Sequence, residues 1–317
     1  MSKLKGLLLT EGMHGMISQV EGLAKALDLD FIHEKIELNN FWNFLPPKIT
    51  PAKSFVFKNK FEVHFNIVIS CGRKSVIPSI YLKNKLKSKI INIHIQDPKV
   101  SLKNFDFVIA PEHDGLRGNN VLTTKGAIHY VTKDELVLSQ NYLRPKVNPK
   151  KKIVSFIIGG PNKYYNYDDS IINNIFQKIS KNFLEKNYQA IIIPSMRTPK
   201  KIIEKTQKYF DKYQIVIPNV DKKAYLSSLQ LADHIIVTCD STSMISEAAL
   251  TGKPIYVAQM PPKKNNKRFK DFFKLFQSLN IIKNLEASVE EWNYKKLDET
   301  QRVSSYIKEK IEKYDFS

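Results

Sequence analysis

A dense group of hydroxyl and carboxylate side chains lies in the segment Val237–Pro254, between an apolar run and a stretch with helical spacing. A helix that begins at these hydroxyls has free N–H groups and the positive end of its dipole at its first turn, and both favour a bound phosphate. Ser241, Thr242 and Ser243 are placed for such a phosphate. Glu247, about one turn further along, is placed to accept hydrogen bonds from a ribose diol. The alternative is a helix merely capped by Asp240 or Ser241, with Glu247 in solvent.

Two adjacent glycines, Gly159 and Gly160, follow the first apolar run in the second half of the chain, Ile153–Ile158. Consecutive glycines after a strand are typical of a backbone that approaches a diphosphate closely. We therefore expect both glycines to line a phosphate site.

The segment Glu11–Gly15 in the first half combines two glycines, Gly12 and Gly15, with an imidazole, His14. Glycine allows close backbone approach to a ligand, but the segment is not the G-x-G-x-x-G pattern of dinucleotide-binding proteins. His14 is a candidate general base or substrate contact, and the alternative is a surface loop histidine. Arg73 follows Gly72 at a strand end, where its guanidinium either binds a phosphate or is simply solvated.

Glu112, His113 and Asp114 place two carboxylates and an imidazole together after another apolar run. Such a trio can transfer protons near neutral pH, which makes Glu112 and His113 candidate catalytic residues. The alternative is a turn that Asp114 braces and Gly115 ends.

Several kinds of chemistry find no support in the sequence. The only cysteines, Cys71 and Cys239, form neither a C-x-x-C pair nor a Cys/His cluster, so we expect no metal site and no disulfide. The G-x-S-x-G, H-E-x-x-H and P-loop patterns are missing from the sequence, which disfavours covalent nucleophilic catalysis and ATP hydrolysis. We expect no tightly bound cofactor.

The residues above are positioned by an alternation of apolar strands and helical stretches that occurs twice along the chain. The first series of predicted strands is Lys5–Thr10, Asn66–Ser70, Ile90–Ile95 and Phe105–Ala110, with a helix over 16–27. The second series is Ile153–Ile158, Ala190–Ile193, Ile215–Ile217, His234–Thr238 and Pro254–Val257, with helices near 169–186, 200–211, 222–231 and 242–251. Loops after the carboxyl ends of such strands are where open α/β sheets bind ligands.

Two prolines and a lysine run in the segment Leu143–Lys152 interrupt the alternation and predict a linker. We therefore place a first α/β domain at 1–147, a second at 148–299 and a final helix at 300–317.

The 50 Lys and Arg residues outnumber the 31 Asp and Glu residues, for a formal charge of +19. This surface attracts phosphates, nucleic acid or anionic lipid headgroups, although lysines scattered through a Lys/Asn/Ile-rich chain also follow from an AT-rich genome. Nucleic acid is not expected, because the basic residues are not interleaved with aromatics in a recognisable module. No stretch reaches the length of a membrane span, so we expect a cytoplasmic protein whose membrane contact, if any, is peripheral on the inner membrane.

The segment Asp240–Pro254 resembles the donor-site helix of GT-B glycosyltransferases and UDP-sugar 2-epimerases, in its order Asp-Ser-x-Ser-x-x-x-Glu-Ala-x-x-x-Gly-x-Pro. The resemblance implies that the turn holding Asp240 and the hydroxyls binds a diphosphate and that Glu247 binds the ribose. It also implies a GT-B-like fold, with two Rossmann-like parallel-sheet α/β domains facing a central cleft. In that fold the acceptor side includes Arg73 and the loop with Gly12 and Gly15. The final helix crosses back to the first domain.

Nearly the whole chain resembles the mitochondrial-fission ELM (elongated mitochondria) family, whose bacterial members are described as predicted nucleoside-diphosphate-sugar epimerases. The resembling segments are Leu9–Gly12, Gly15 to Ala24, Ile69–Arg73, Ile95–Pro98, Phe105 to Val121, Ile158–Gly160, Ser195–Pro199 and Val237–Glu247. This resemblance adds Ser195 and Arg197 to the candidate donor site. Met196 stands where the family tends to have a second arginine, which leaves Arg197 as the only guanidinium there.

Together the residues and the resemblance predict a metal-independent glycosyltransferase-like protein. It would bind a nucleoside-diphosphate sugar in the second domain and transfer the sugar to an anionic or membrane-associated acceptor, such as a lipid-linked one. The first alternative is a nucleoside-diphosphate-sugar epimerase, in which acid/base groups act on the sugar itself. The second is a non-catalytic, membrane-associated scaffold of the mitochondrial-fission type.

Overall fold

The computed structural model describes residues 3–61, 64–210, 212–286 and 288–314. The chain divides into two compact units. Unit 1 comprises Met1–Tyr130 and Asp298–Ser317, and unit 2 comprises Val131–Leu297.

Unit 1 is built on a parallel sheet. Its strands are β1 (Lys5–Thr10), β2 (Asp30–Lys35), β3 (Ile67–Cys71), β4 (Ile91–Ile95), β5 (Phe107–Pro111) and β6 (Val121–Thr124). Among the described residues, these six strands lie side by side in one sheet in the order β2-β1-β3-β4-β5-β6. Two helices follow the first and third strands, α1 (His14–Ala26) and α2 (Val76–Leu86).

Both faces of this sheet are covered, which explains why its strands are continuous apolar runs. Successive side chains of a strand point to opposite faces. Leu8 therefore packs with Val20 and Leu23 of α1 in one buried cluster. Leu7 packs in another cluster with Val76 of α2.

Unit 2 repeats the same plan. Its strands are β7 (Lys152–Ile158), β8 (Tyr188–Pro194), β9 (Ile215–Val216), β10 (His234–Thr238), β11 (Ile255–Ala258) and β12 (Ile282–Asn284). All pair in parallel, and among the described residues the order is β12-β11-β10-β7-β8-β9. The helices are α3 (Lys133–Ser139), α4 (Asp169–Asn182), α5 (Lys200–Tyr209), α6 (Lys222–Leu231), α7 (Thr242–Ala249) and α8 (Lys267–Ser278).

The first strand of each unit lies inside its sheet, so the chain winds outward from it in both directions. In unit 1, β1 lies between β2 and β3, and in unit 2, β7 lies between β10 and β8. Loops from the carboxyl ends of the strands diverge at such a point, and open α/β sheets bind ligands there. The topology thus singles out the β1/β3 loops and the β7/β10 loops.

The boundary between the units differs from the predicted one at 147. Residues 131–147 belong to unit 2, because α3 and the turns after it pack on α6. The Leu143 N–H donates to Ser227 Oγ at 3.1 Å, and the Tyr142 hydroxyl donates to Asp221 at 2.7 Å. These contacts place the linker prolines within unit 2.

The final helix, α9 (Glu299–Ile311), belongs to unit 1. Its buried residues Val303 and Ile307 join the cluster that contains α1. Thr300 Oγ1 accepts a hydrogen bond from the His129 N–H at 2.9 Å. In the described part of the chain no helix combines the length and the apolar character that a membrane span requires.

Candidate functional site

The turn between β10 and α7 lies at the divergence point of the sheet in unit 2. Ser241 caps α7, and its Oγ accepts from the Met244 N–H at 3.3 Å. The N–H groups of Thr242 and Ser243 have no hydrogen-bond partner among the described residues. Both residues are partly exposed, so these N–H groups and hydroxyls are open to an anion at the positive end of the helix dipole.

The Asp240 carboxylate connects this turn to the loops after the neighbouring strands. Its side chain is fully buried, with 0% exposure. Oδ2 accepts from the Gly160 N–H at 3.1 Å and from Arg197 Nη2 at 2.7 Å. Oδ1 accepts from the Tyr167 hydroxyl at 2.5 Å and from Thr238 Oγ1 at 2.7 Å. A buried carboxylate with four donors is well compensated, so Asp240 fixes the three loops in one arrangement.

Burial and then the Asp240 charge raise the pKa of Tyr167, so its phenol stays protonated and donates to that carboxylate.

In the structure Gly159 and Gly160 pack closely against other parts of the protein. A Cβ at Gly159 would lie 2.3 Å from Asp240 Oδ1, and one at Gly160 would lie 1.9 Å from the Arg197 carbonyl oxygen. The Gly159 N–H donates to Thr238 Oγ1 at 2.8 Å, and the Gly160 N–H is taken by Asp240. Both N–H groups are therefore used within the protein, and the expectation that these glycines line a phosphate site stays a prediction.

Arg197 is held in the loop after β8 but keeps spare hydrogen-bonding capacity. Its Nη1 donates to the Gly160 carbonyl at 3.0 Å and its Nη2 to Asp240, so two of the five donors of a guanidinium are used. The side chain is 39% exposed. Thr198 and Ser195 shape the loop, since the Ser195 N–H donates to Thr198 Oγ1 at 2.8 Å. Arg197 therefore contacts Asp240, and Ser195 lies in the same loop; their role in a donor site stays a prediction.

Glu247 lies on α7 and is buried, with 6% exposure, instead of pointing into solvent. Its Oε2 accepts from the Tyr225 hydroxyl of α6 at 2.5 Å. The neighbouring Ser246 is also buried, and its hydroxyl donates to the Thr242 carbonyl at 2.8 Å. Glu247 is thus held by a second helix, α6. The alternative from the sequence was a helix capped by Asp240 or Ser241 with Glu247 in solvent. The structure agrees with the cap at Ser241 but not with a solvated Glu247.

Sequence reasoning missed the loop after β7 that closes beside Asp240. Asn162 Nδ2 donates to the Asp240 carbonyl at 3.1 Å, and Asn162 Oδ1 accepts from the Tyr164 N–H at 2.7 Å. The ammonium groups of Lys163 and Lys264 lie 4.9 and 5.5 Å from the centroid of the Tyr164 ring. The run Pro-Asn-Lys-Tyr-Tyr-Asn-Tyr after the two glycines was the available signal.

In unit 1 the loops after β1 and β3 meet. Glu11 Oε1 accepts from the Lys74 N–H at 3.1 Å. Gly12 and Gly72 have φ values of 84° and 95°, which glycine adopts without strain. His14 begins α1, and its exposed ring stands edge-on to Tyr130, with centroids 6.1 Å apart. Gly15 lies in the first turn of α1, where its carbonyl accepts from Gln19 at 2.9 Å.

Arg73 binds backbone carbonyls instead of being simply solvated, and its phosphate contact stays a prediction. Its Nη1 donates to the Leu45 carbonyl at 2.9 Å and its Nη2 to the Asn43 carbonyl at 2.6 Å. The guanidinium therefore anchors the segment that follows β2, and two of its donors are committed to the backbone.

Glu112, His113 and Asp114 form a short 3₁₀ turn after β5. Glu112 is exposed, whereas the side chain of His113 is 3% exposed and its Nε2 lies 3.7 Å from Asp114 Oδ1. Because β5 is three strands away from β1, this turn lies roughly 14 Å across the sheet from the loop of His14. The structure does not bring the three predicted catalytic residues together.

Neither cysteine has the properties of a nucleophile. Cys71 and Cys239 are both buried, and burial raises the pKa of Cys239 to about 12. Burial also raises the pKa of Cys71. Both thiols therefore stay protonated near neutral pH. Within the described ranges, no group of three or more His, Cys, Asp or Glu side chains is placed to hold a metal ion.

Two curated relatives share much of the sequence. A Rickettsia prowazekii protein, uncharacterized protein RP120, is 27% identical over 282 residues, which covers 77% of this chain and 79% of the relative. The Arabidopsis thaliana mitochondrial fission protein ELM1 is 25% identical over 274 residues. That match covers 77% of this chain and spans 64% of the length of the Arabidopsis protein.

Solved structures share the fold at low identity. The Staphylococcus aureus MnaA–UDP structure superposes with a TM-score of 0.51 at 14% identity, covering 98% of this chain and 97% of that one. The Neisseria meningitidis UDP-GlcNAc 2-epimerase bound to UDP-GlcNAc gives a TM-score of 0.53 at 12% identity, covering 98% and 100%. These matches confirm the predicted GT-B-like class of two parallel-sheet α/β domains.

The resemblance predicted from the sequence motifs is also confirmed. The model of the family described as mitochondrial fission ELM1 matches residues 14–311, which include every candidate site residue except Gly12. The chain therefore belongs to the mitochondrial fission ELM1 family.

Proposed function

We propose that unit 2 binds a nucleoside-diphosphate sugar at the amino-terminal end of α7 and that the protein transfers the sugar to an anionic or membrane-associated acceptor. The observation that carries this proposal is the meeting of three loops at the β7/β10 divergence point. Asp240 joins these loops and leaves the first turn of α7 and part of Arg197 exposed.

The diphosphate would bind at the first turn of α7. Free N–H groups of Thr242 and Ser243, their hydroxyls and the helix dipole all favour an anion. Arg197 adds a guanidinium charge, which the Asp240 carboxylate partly offsets and at the same time orients. In sugar transfer the negative charge on the departing diphosphate grows, so donors fixed in advance stabilise the transition state more than the bound substrate.

The nucleoside would lie further along α7, with its ribose hydroxyls on Glu247. The Tyr225 hydroxyl donates to Glu247 Oε2 at 2.5 Å and holds this carboxylate in place on α7. This pairing holds the side chain in one rotamer before the nucleotide arrives, which lowers the entropy cost of binding.

In unit 1 we assign the acceptor base to His14, because its imidazole is exposed at the β1/β3 divergence point. A general base must reach the acceptor hydroxyl whose proton it removes. His113 is nearly buried beside Asp114, which makes it a poorer candidate, and Glu112 stays a second choice.

The test is a thermal-unfolding screen of the full chain with UDP, GDP, ADP and CMP and with their sugars. A ligand at 100 times its dissociation constant stabilises the fold by about 2.7 kcal/mol, which raises the unfolding temperature measurably. We expect one nucleotide and its sugar to stabilise the wild type and Glu286→Ala, an exposed-carboxylate control, but not Glu247→Ala. If no nucleotide stabilises the wild type, the transferase proposal is overturned and the scaffold alternative takes its place.

A nucleoside-diphosphate-sugar epimerase is the second candidate, and the fold shared with the Neisseria 2-epimerase favours it. Epimerisation breaks a C–H bond of the sugar and needs no acceptor. In D₂O an epimerase would produce deuterated epimer from the nucleotide sugar alone, which NMR detects. Sugar transfer leaves the C–H bonds intact and releases the nucleoside diphosphate only when an acceptor is present.

A further inference from the structure

Four large apolar side chains protrude from the segment between β2 and β3. Phe44 is 86% exposed, Phe41 66%, Ile49 62% and Phe55 57%. Among the described residues, every phenylalanine with a largely exposed side chain lies in this segment. Soluble proteins seldom expose several such side chains together unless the surface binds something.

The Trp42 ring joins two of these side chains, and Phe44 and Ile49 lie between those two in the chain. The Trp42 ring contacts both Phe41 and Phe55, with centroid distances of 5.0 and 5.8 Å. The Phe44 N–H donates to the Phe41 carbonyl at 3.4 Å. The Ile49 N–H donates to the Pro46 carbonyl at 3.2 Å, in the turn that follows Phe44 in the chain. We call Phe41, Trp42, Phe44, Ile49 and Phe55 the aromatic surface.

The backbone beneath the aromatic surface is anchored. The two donors of Arg73 hold the carbonyls of Asn43 and Leu45, on either side of Phe44. Asn39 Nδ2 donates to the Phe55 carbonyl at 2.5 Å. The backbone on both sides of Phe44 is therefore held by Arg73.

Within residues 38–57 all charged side chains are positive, and the exposed Glu37 just before them pairs with Lys58 at 3.7 Å. The residues 38–57 include Lys48 and Lys53, both exposed, and no aspartate or glutamate. A second copy of this chain is a poor partner, because each copy carries +19 and the two lysine pairs would face each other. Exposed aromatic side chains beside lysines match the interface of a bilayer that contains anionic lipid.

We infer that the aromatic surface docks onto an anionic phospholipid bilayer, with the phenylalanines among the acyl chains and Lys48 and Lys53 at the headgroup phosphates. Arg73 is a positioning residue for this contact. The aromatic surface lies at the carboxyl edge of the unit 1 sheet, the same edge as Gly12 and His14. The inference goes beyond the proposed function, since docking requires no nucleotide and is measured without one.

The test is flotation of the full chain with vesicles of phosphatidylcholine alone or with phosphatidylglycerol. We expect binding only to the anionic vesicles. The double variant Phe44→Ser/Phe55→Ser should lower the partition coefficient by about tenfold or more, since each buried phenylalanine contributes to transfer from water. Leu138→Ser is the matched control, because Leu138 is 80% exposed on α3 of unit 2 and should leave binding unchanged.

A second readout locates the contact. The chain has two tryptophans, Trp42 and Trp292, so a Trp292→Phe variant reports on Trp42 alone. Lipids brominated on their acyl chains should quench Trp42 in anionic vesicles. The inference is overturned if the wild type does not float, if the Phe44/Phe55 variant floats equally well, or if Trp42 is not quenched. A loss of dimerisation in that variant, without vesicle binding by the wild type, would instead assign the surface to a second copy.

Discussion

At the scale of single residues, Asp240 explains more of the site than any hydroxyl around it. Its carboxylate satisfies donors from Gly160, Tyr167, Thr238 and Arg197 while fully buried. The hydroxyls stand together in the sequence and were easily found. The loops that Asp240 joins are separated by up to 80 residues, so the sequence did not show that they meet. Residue types near the site were therefore predictable, and the partners of each residue were not.

Asp240→Ala should lower the free energy of unfolding by about 3 kcal/mol, because it leaves buried donors unsatisfied and Arg197 without its counter-ion. Urea unfolding measures this change. Asp169→Ala is the control, since Asp169 is 70% exposed and pairs with Lys205 across 3.4 Å. Loss of that surface pair should cost less than about 1 kcal/mol. Equal effects of the two substitutions would contradict the role given to Asp240.

The two glycines mark a close approach of the backbone without identifying the group that approaches. Gly159 and Gly160 were expected at the phosphate site because glycine permits a ligand to come close. They lie beside Asp240, yet the close approach is made by the Asp240 carboxylate and by the backbone of Arg197. A pair of glycines in a sequence indicates that the backbone passes close to another group, but it does not identify that group.

At the scale of elements, the central strands were predicted from their continuous apolar runs, because both faces of each sheet are buried. The strands β2, β6 and β12 were missed, and all three are edge strands. In β2 the sequence Asp-Phe-Ile-His-Glu-Lys mixes charged and apolar side chains, since an edge strand is partly open to solvent. Only the pairing with β1 reveals it as a strand.

The strand β4 carries a buried titratable group, His94, whose Nδ1 lies 2.9 Å from Ser70 Oγ. Burial lowers the pKa of His94 to about 3, against a smaller opposing effect of Asp97. Between that value and the usual pKa of histidine, about 6.5, the unfolded chain binds a proton that the folded chain does not. The stability from this group is therefore present above pH 6.5 and is lost as the pH falls.

We expect this group to account for roughly 2 to 3 kcal/mol of lost stability between pH 6.5 and pH 4.5. His94→Asn should remove that part of the pH dependence in urea unfolding. His64→Asn, at an exposed position, should leave it in place. If the free energy of unfolding of His94→Asn depends on pH as that of the wild type does, burial does not hold the His94 imidazole neutral.

The loop after β7 allows a test of electrostatics at the site. Tyr164, in the loop that Asn162 fastens to Asp240, is flanked by Lys163 of the same loop and by Lys264 of the segment after β11. Lys163→Glu/Lys264→Glu should weaken nucleotide-sugar binding by roughly tenfold at low salt, and by less at 1 M salt because the charges are screened. Calorimetry measures both affinities.

Two lysines of unit 1 serve as the matched control. Lys85 and Lys310 also stand over tyrosine rings, at 6.0 and 5.3 Å. Lys85→Glu/Lys310→Glu makes the same change in net charge. If it weakens binding as much as the change at Lys163 and Lys264, the effect comes from net charge and not from the loop.

At the scale of the whole molecule, the repeated α/β plan and the family were predictable, because they rest on many positions along the chain. The division into units was less accurate. The prolines near residue 147 predicted a linker, but Leu143 is buried and hydrogen-bonded to Ser227 within unit 2. The aromatic surface was missed as well, since Phe41, Phe44 and Phe55 resemble core residues until the structure shows them exposed among the described residues.

The most direct test of the central claim is hydrogen–deuterium exchange of the full chain with and without UDP-N-acetylglucosamine, or the nucleotide sugar that the unfolding screen selects. We expect slower exchange in peptides that cover 195–199 and 238–250, with the largest change at the free N–H groups of Thr242 and Ser243. Protection confined to unit 1, or unchanged exchange at α7 under saturating ligand, would contradict a nucleotide site at the start of that helix.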